Sequence, residues 1–202
     1  KSGDERFVYD AYRRLITMYA DVVMEKVADI ELQESVGIRE KLDGIMEKMK
    51  YHKRVENDSE LSAESLMELC YLFKMEISKN NREEFPDDPH AQLWGAITAV
   101  FKSWNGKRAV SYRNIENIPH HWGTAVNIQA MVFGNMGDNC ATGVGFTRNP
   151  ATGENVFFGE WLPNAQGEDV VAGLRTPNPL NNLNEGSDAQ NLPSMEDKMP
   201  EI

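Results

Sequence analysis

The side chains best suited to hold a small molecule lie between residues 124 and 176, where strand formers alternate with glycine and polar turns. This stretch offers an apolar strand, a glycine-rich hairpin and then a polar loop at 164–169 that carries the carboxylate of Glu168. A strand that runs into a loop can present backbone N–H and C=O groups to the edge of a ligand, and Met131 and Val132 stand at such a point. These parts could line a pocket, although any antiparallel sheet with polar loops offers as much.

The elements that must position these groups follow from side-chain periodicity. Residues 124–133 carry a largely apolar run with side chains on both faces, which is typical of an inner strand. Residues 144–147 and 155–162 are predicted to form a hairpin around a tight turn at 148–153. Glycines beside the first of these strands leave one face bare, which allows close approach of a ligand or another backbone.

A resemblance to a known family is carried by three long motifs: GTAVNIQAMVFGNMGD, TGVGFTRNPATGE and NAQGEDVVAGLRTP. They resemble the nucleotide-binding domain of the pyruvate, phosphate dikinases, which are ATP-grasp phosphotransferases. The similarity extends upstream through FPDDPHAQLWGAITAVFKSWN, RAVSYR and IPHHWGTAVN to RFVYDAYRRLITMYADVVM, so it covers most of residues 6 to 180. It implies an α+β fold, with a helical subdomain followed by part of an antiparallel ATP-grasp β region.

The domain organisation follows from the resemblance together with the distribution of charge. Most charged residues lie in the first hundred positions, and the change near Asn105 suggests a boundary. We expect a helical subdomain, inserted in the nucleotide-binding domain, at 1–105. A partial ATP-grasp β subdomain is expected at 106–180, and a linker or disordered tail at 181–202 because that segment is polar and aperiodic.

The resemblance also implies roles for individual residues. The main chain of 129–132 would read adenine, with Gln129 beside the base and Met131 and Val132 lining its pocket. Thr142 matches a position beside the nucleotide in the glycine-rich hairpin. Glu168 matches the carboxylate that contacts the ribose hydroxyls, and a carboxylate can accept hydrogen bonds from both at once.

Each of these positions has a simpler structural interpretation. Gln129 and Met131 can instead merely pack a strand face, and Thr142 can be an ordinary turn residue. Without the resemblance, Glu168 would be a solvated loop carboxylate. Glu160 is a further acidic candidate for the same site.

The family reaction converts ATP, orthophosphate and pyruvate to AMP, pyrophosphate and phosphoenolpyruvate through a phosphohistidine on a separate swivelling domain. The resemblance therefore implies ATP and Mg²⁺ as cofactors, a phosphohistidine domain of the same parent chain as partner, and a homo-oligomeric parent. The family segments that supply the phosphate loop, the metal-binding carboxylates and the phosphohistidine have no counterpart in this chain. We therefore expect no catalytic or metal-ligating residue here, and no dikinase activity from this fragment alone.

Two other interpretations remain open. A phosphoenolpyruvate synthase-type dikinase shares the ATP-grasp fold and the phosphohistidine, but uses water as the second phosphoryl acceptor. A non-enzymatic module, in which an acidic helical bundle binds a partner and the β region is only support, is the third possibility.

Composition narrows the class of protein. Hydrophobic residues at 41% and charged residues at 26% are ordinary for a soluble globular protein. The net charge of -11 argues against a nucleic-acid-binding or anionic-membrane surface, because such surfaces need clustered Lys and Arg. The two cysteines, Cys70 and Cys140, lack metal or redox spacing, and no apolar run approaches the ~20 residues of a membrane span. We expect an intracellular, reducing setting, either cytoplasmic or organellar, with no nucleic-acid or membrane partner.

The first half of the chain is predicted to be helical. Apolar residues recur at helical spacing over 4–24 and 27–49. Ser62 is a predicted N-cap, and Asp88 followed by Pro89 predicts another helix that ends near 105–106.

Four further features are given structural interpretations. The aromatic stripe on the helix that starts at Pro89 is expected to pack in a core. Residues 107–113 are expected to be a short basic strand or turn. The adjacent His120 and His121 are interpreted as loop residues, because neighbours in sequence do not share a face as metal ligands usually do. Arg148 is expected to hold its own turn through backbone carbonyls.

Overall fold

The computed structural model describes residues 3–26, 37–81, 83–171, 176–182 and 192–201. The chain packs as two units, 1–129 and 130–202, and each is considered separately. The elements of the described residues, in chain order, are α1 Glu5–Tyr19, a π-helical segment Ala20–Lys26, α2 Ile38–Lys53, a 3₁₀ turn Asp58–Glu60, α3 Ala63–Asn81, α4 Pro89–Ser103, α5 Lys107–Glu116, a 3₁₀ turn His120–Trp122, β1 Ala141–Phe146, β2 Phe158–Pro163, α6 Gly167–Val171, β3 Asn178–Pro179 and α7 Met195–Lys198.

The first predicted helix, 4–24, is confirmed as α1 and its π-helical continuation. It starts where Asp4 accepts a hydrogen bond from the Phe7 N–H at 3.1 Å. The second predicted helix, 27–49, is confirmed from Ile38 onward as α2, while 27–36 lie outside the described residues. The Glu25 carboxylate accepts from the Ile38 N–H at 2.9 Å, so a side chain from the π-helical segment caps α2.

Both predicted caps later in the helical unit are confirmed. The Ser65 N–H donates to Ser62 Oγ at 3.3 Å at the start of α3. The Ala91 N–H donates to Asp88 Oδ2 at 3.0 Å, and Pro89 is the first residue of α4. These signals are local, which is why sequence alone located both helix starts.

The core of the first unit lies among α1, α2 and α3. Phe85, from the connection before α4, joins it and meets the rings of Tyr12 and Tyr19 edge-on, with centroids 6.3 and 5.5 Å away. Buried apolar side chains of this core include Ile16, Tyr19, Ile38, Leu42, Leu61, Leu66, Leu69, Phe73, Ile77 and Phe85.

The expectation that the aromatic stripe of α4 packs in this core is wrong. Trp94 is 65% exposed and Phe101 is 51% exposed, whereas Ala99 is the buried residue of the helix. The helix approaches the π-helical segment through Gly95, where an added Cβ would lie 3.3 Å from Val23 Cγ1. Small residues permit the close approach, so the packed face of α4 is its small-residue face and the large apolar side chains turn away from it.

The prediction of a strand or turn at 107–113 is also wrong, because these residues form α5. The Val110 N–H donates to Gly106 O at 3.0 Å, and Asn117 ends the helix in the left-handed region at φ 55. Backbone groups are thus satisfied locally, and the described residues provide no strand beside this segment.

The predicted hairpin is confirmed in the second unit. β1 and β2 are antiparallel, with a register that runs from Ala141↔Pro163 to Phe146↔Phe158, and β3 pairs with the outer edge of β2. At the turn, Asn149 Oδ1 accepts from the Ala151 N–H at 2.9 Å, and Arg148 Nη1 donates to Gly153 O at 3.2 Å. The expected structural role of Arg148 is therefore confirmed.

The prediction of an inner strand at 124–133 is wrong. Among the described residues, strand pairing is confined to β1, β2 and β3, and none of the residues 124–133 belongs to a strand. Val132 is 92% exposed, and Ile128 and Met131 are exposed as well. A strand exists only where a neighbouring strand accepts and donates its backbone hydrogen bonds, so an apolar pattern without such a neighbour does not produce one.

The chain has the expected α+β fold class, with helices followed by a small antiparallel sheet. The division into subdomains at 105 and 180 stays a prediction. Of the expected tail, 183–191 and 202 lie outside the described residues, while Met195–Lys198 form α7 and the Ser194 hydroxyl accepts from the Asp197 N–H at 3.1 Å. Within the described parts of the chain, every helix is too short or too polar to span a bilayer.

Candidate functional site

Three pieces of backbone in the second unit meet at Ala165. Its N–H donates to Gly134 O at 2.9 Å, and its carbonyl accepts from Thr142 Oγ1 at 2.7 Å. The neighbouring Asn164 N–H donates to Cys140 O at 2.8 Å. The turn after residue 133, the start of β1 and the loop 164–169 are therefore tied together by hydrogen bonds.

This junction requires glycine at position 134 for reasons of space. A Cβ there would overlap Thr142 Oγ1 and would lie 2.5 Å from Ala165 O and 2.6 Å from Ala141 O. No ordinary Cβ contact is that short, so a side chain at this position would push the three segments apart.

The loop 164–169 is ordered by its own polar groups. Asp169 is buried, and its Oδ2 accepts from the Gln166 N–H at 2.8 Å. The Asp169 N–H in turn donates to the backbone Gln166 O at 3.0 Å, which closes a turn at the start of α6. Asn164 enters the loop in the left-handed region at φ 46. The loop conformation is thus set by buried contacts.

Glu168 lies in the first turn of α6, and its side chain is exposed beside the buried Asp169. The core formed by Leu162, Ala165 and Val170 supports the loop on both sides of it. The carboxylate is therefore presented to solvent from a backbone that packing and hydrogen bonds hold in place, which suits the recognition of vicinal hydroxyl groups.

The remaining predicted site residues differ in how they are held. Gln129 is exposed and is the last residue of the first unit. Met131 and Val132 are exposed in the second unit, a few residues before the junction at Gly134. Because Gln129 and Met131 are both exposed, the alternative that they pack a strand face is not observed. The structure thus brings Thr142 and the loop of Glu168 together at the place where the segment of Met131 and Val132 ends.

Thr142 has a structural role that the sequence did not indicate. Its hydroxyl proton is engaged by the Ala165 carbonyl, so this side chain positions the loop of Glu168. Gly134 and Asp169 were missed as positioning residues. The spacing Gln166–Asp169 resembles a capping box and could have identified Asp169, whereas no local signal identifies Gly134.

Glu160 lies in the middle strand of the sheet, opposite Val144 on one side and Pro179 on the other, with an exposed side chain. The described residues contain no group of three or more His, Cys, Asp or Glu side chains arranged to hold a metal ion. The site geometry is thus that of a polar loop and a nearby exposed apolar segment.

Comparison with known proteins assigns the chain to a family. Residues 20–196 match the family model described as "Pyruvate phosphate dikinase, AMP/ATP-binding domain". The chain is 50% identical over 184 residues to a pyruvate, phosphate dikinase of Clostridium symbiosum, covering 91% of this chain and 20% of that protein. It is 49% identical over 200 residues to the Rhizobium meliloti enzyme, covering 99% of this chain and 21% of that protein. It is 52% identical over 184 residues to the chloroplastic enzyme 1 of Arabidopsis thaliana, covering 91% of this chain and 18% of that protein.

The chain spans about a fifth of the length of these curated relatives. Its family match nevertheless includes most of both packing units and all of the loop that carries Glu168. On the strength of that match, the chain belongs to the pyruvate phosphate dikinase AMP/ATP-binding domain family.

Proposed function

We propose that this chain is part of the ATP-binding domain of a pyruvate, phosphate dikinase. The parent protein would phosphorylate a carrier histidine from ATP and thereby interconvert pyruvate and phosphoenolpyruvate, with orthophosphate entering and AMP and pyrophosphate leaving. The observation that carries the proposal is the family match over residues 20–196, supported by about 50% identity to curated dikinases along nearly the whole chain.

Glu168 is the proposed ribose-binding group. Its carboxylate is exposed on a loop whose backbone is held by Thr142, Gly134 and Asp169, so it can meet a ligand with little loss of loop freedom. A carboxylate accepts hydrogen bonds from both ribose hydroxyls, and such charge-assisted bonds are stronger than neutral ones. Thr142 is proposed to act beside the nucleotide chiefly by positioning this loop.

Adenine is proposed to lie against the segment 129–132. Backbone groups of this segment are not engaged by any strand of the described residues, and Met131 and Val132 are exposed. An exposed apolar surface beside N–H and C=O groups that no described strand pairs matches what a purine ring needs, an apolar face and hydrogen-bonding edges. Gln129 would lie beside the base.

The phosphates and Mg²⁺ are proposed to be held by other parts of the parent protein. The described residues offer no cluster of three potential metal ligands, and the chain is about a fifth of its relatives' length. When bound, Mg²⁺ would neutralise charge on the transferred phosphoryl group. We also propose a phosphohistidine domain of the same parent as the partner, a homo-oligomeric parent, and an intracellular location that is cytoplasmic or organellar, as relatives named chloroplastic suggest.

The proposal is tested by ATP titration of the full-length parent. Glu168→Ala should raise the Kd for ATP roughly 10- to 100-fold, because it removes charge-assisted hydrogen bonds worth about 1.5–3 kcal/mol. Glu116→Ala is the matched control, since Glu116 is an exposed carboxylate on α5. Met131→Trp should weaken ATP binding by crowding the adenine position.

Unchanged ATP affinity in both site variants would instead favour a non-enzymatic interaction module. The isolated chain should produce no AMP or pyrophosphate from ATP. Detectable formation of either product by the isolated chain would contradict the proposed dependence on the rest of the parent.

A further inference from the structure

The first unit contains a buried cation, Arg113, to which the function proposed above gives no role. Arg113 is only 3% exposed, yet the partners that the described residues give its guanidinium are neutral. Its Nε donates to His120 Nδ1 at 3.1 Å, and its Nη1 donates to the Trp104 carbonyl at 2.5 Å. Its Cζ lies over the Trp104 ring, 4.0 Å from the ring centre. Burying a charge without a carboxylate is costly, so neutral acceptors must be held accurately around it.

The arrangement closes into a ring of contacts. The Trp104 indole Nε1 donates to the His120 carbonyl at 3.1 Å, and His120 Nε2 lies 3.1 Å from Asn114 Oδ1. Because Arg113 can only donate, His120 Nδ1 must be the acceptor, so the ring proton resides on Nε2 and is donated to Asn114. We name these four residues, Trp104, Arg113, Asn114 and His120, the Arg113 cluster. It joins the end of α4, the body of α5 and the 3₁₀ turn.

The Arg113 cluster lies shortly before the segment proposed to read adenine, at the end of the helical part of the first unit. The chain leaves the 3₁₀ turn through Gly123 at φ 73, and from there to Gln129 the described residues provide no strand pairing. Residues 124–129 therefore depart from a 3₁₀ turn whose first residue, His120, is hydrogen-bonded to Arg113 through its side chain and to Trp104 through its carbonyl. A change in that turn would alter the point from which the chain runs toward Gln129, without replacing any of the residues proposed to contact the nucleotide.

We propose that Arg113 and His120 are positioning residues for nucleotide binding, which act by fixing where the segment 124–129 leaves the helical unit. This inference rests on the proposed function. In this inference, His120 acts through its Nδ1 atom, which accepts the hydrogen bond from Arg113. Asparagine at 120 can place an amide oxygen near the position of Nδ1, whereas glutamine reaches toward the position of Nε2 and leaves Arg113 without its acceptor.

The test is ATP titration of the full-length parent, with thermal unfolding measured in parallel. His120→Gln should raise the Kd for ATP about tenfold, and His120→Asn should stay within about twofold of wild type. The neighbouring His121 is exposed, so His121→Gln is the matched control and should leave the Kd unchanged. Arg113→Ala should also weaken binding about tenfold, with Arg108→Ala, an exposed arginine on the same helix, as its control.

Several results would overturn the inference. A role limited to stability would lower Tm in His120→Gln and Arg113→Ala without a change in Kd. Equal losses of affinity in His120→Asn and His120→Gln would show that the Nδ1 acceptor is not what matters. Should Arg113→Ala fail to fold, the two His120 variants still decide the question. Failure of wild-type parent to bind ATP would refute the proposed function itself, whereas a loss of affinity in Glu168→Ala alone would refute only the positioning role.

Discussion

The close packing around Gly134 gives the sharpest prediction about the second unit. Gly134→Ala would place a Cβ 2.5 Å from Ala165 O and 2.6 Å from Ala141 O, inside the 3.0 Å that real Cβ atoms keep. Because its Cβ would also overlap Thr142 Oγ1, the 2.7 Å hydrogen bond from Thr142 to Ala165 cannot persist. The neighbouring atoms are mostly backbone, so relief requires the loop 164–169 to move.

The magnitude follows from two contributions. Overpacking of a tight site costs about 1–3 kcal/mol, and the lost hydrogen bond costs about 0.5–1.5 kcal/mol, so local stability should fall by roughly 2–4 kcal/mol. Since about 1.4 kcal/mol corresponds to a factor of ten, the protected amides of Asn164 and Ala165 should exchange roughly 30-fold to several-hundred-fold faster. Thr142→Val, which removes the hydroxyl alone, should give a smaller acceleration.

Hydrogen–deuterium exchange followed by mass spectrometry measures this directly on a peptide that spans the loop. Gly167→Ala is the matched control, because its Cβ would meet only Thr142 Cγ2 at an ordinary 3.9 Å. We expect Gly167→Ala to exchange like wild type. Equal exchange in Gly134→Ala and Gly167→Ala would refute the argument that close approach, rather than glycine flexibility, explains position 134.

Three further predictions concern the helical unit. Burial raises the pKa of the Cys70 thiol to about 11, so roughly a thousandth of it is thiolate at pH 8. Iodoacetamide should therefore label Cys140 well before Cys70, and faster labelling of Cys70 would contradict this prediction. The hydrogen bond from Lys74 lowers the pKa of Asp87, and its hydrogen bond to Asp87 raises the pKa of Lys74. The stability that this pair contributes should therefore be lost as pH falls through the lowered pKa of Asp87, and also as pH rises through the raised pKa of Lys74. In Asp87→Asn, the loss of stability on acidification that is due to this pair should be absent. Phe85→Ala removes a ring that packs in the core and should lower the free energy of unfolding by about 3 kcal/mol, as urea denaturation would measure; a change below about 1 kcal/mol would contradict that packing.

Local signals explain which parts of the fold could be predicted. Ser62, Asp88 and Pro89 act through hydrogen bonds or ring geometry within one helical turn, so their roles are the same in any tertiary context. The hairpin of β1 and β2 was equally accessible, because its turn is closed by contacts between residues close in sequence.

Two of the predictions that failed depended on a distant partner. The apolar run at 124–133 has the composition of an inner strand, but pairing depends on a neighbouring strand and no described residue provides one. The stripe of Trp94 and Phe101 has the periodicity of a buried face, but α4 packs through Gly95 and Ala99 instead. Periodicity predicts that a face is apolar, while contact with another element decides whether it is buried.

The same distinction divides the candidate site. The long motifs alone identified the family, because a family match depends on the types and order of residues, which are read from the sequence without a structure. Only the tertiary structure revealed that Thr142 holds the loop of Glu168, that Gly134 must lack a side chain, and that the buried Arg113 donates a hydrogen bond to His120. Each of these depends on atoms that are far apart in the chain or set by the angle between elements, and such distances are fixed by packing rather than by spacing in sequence.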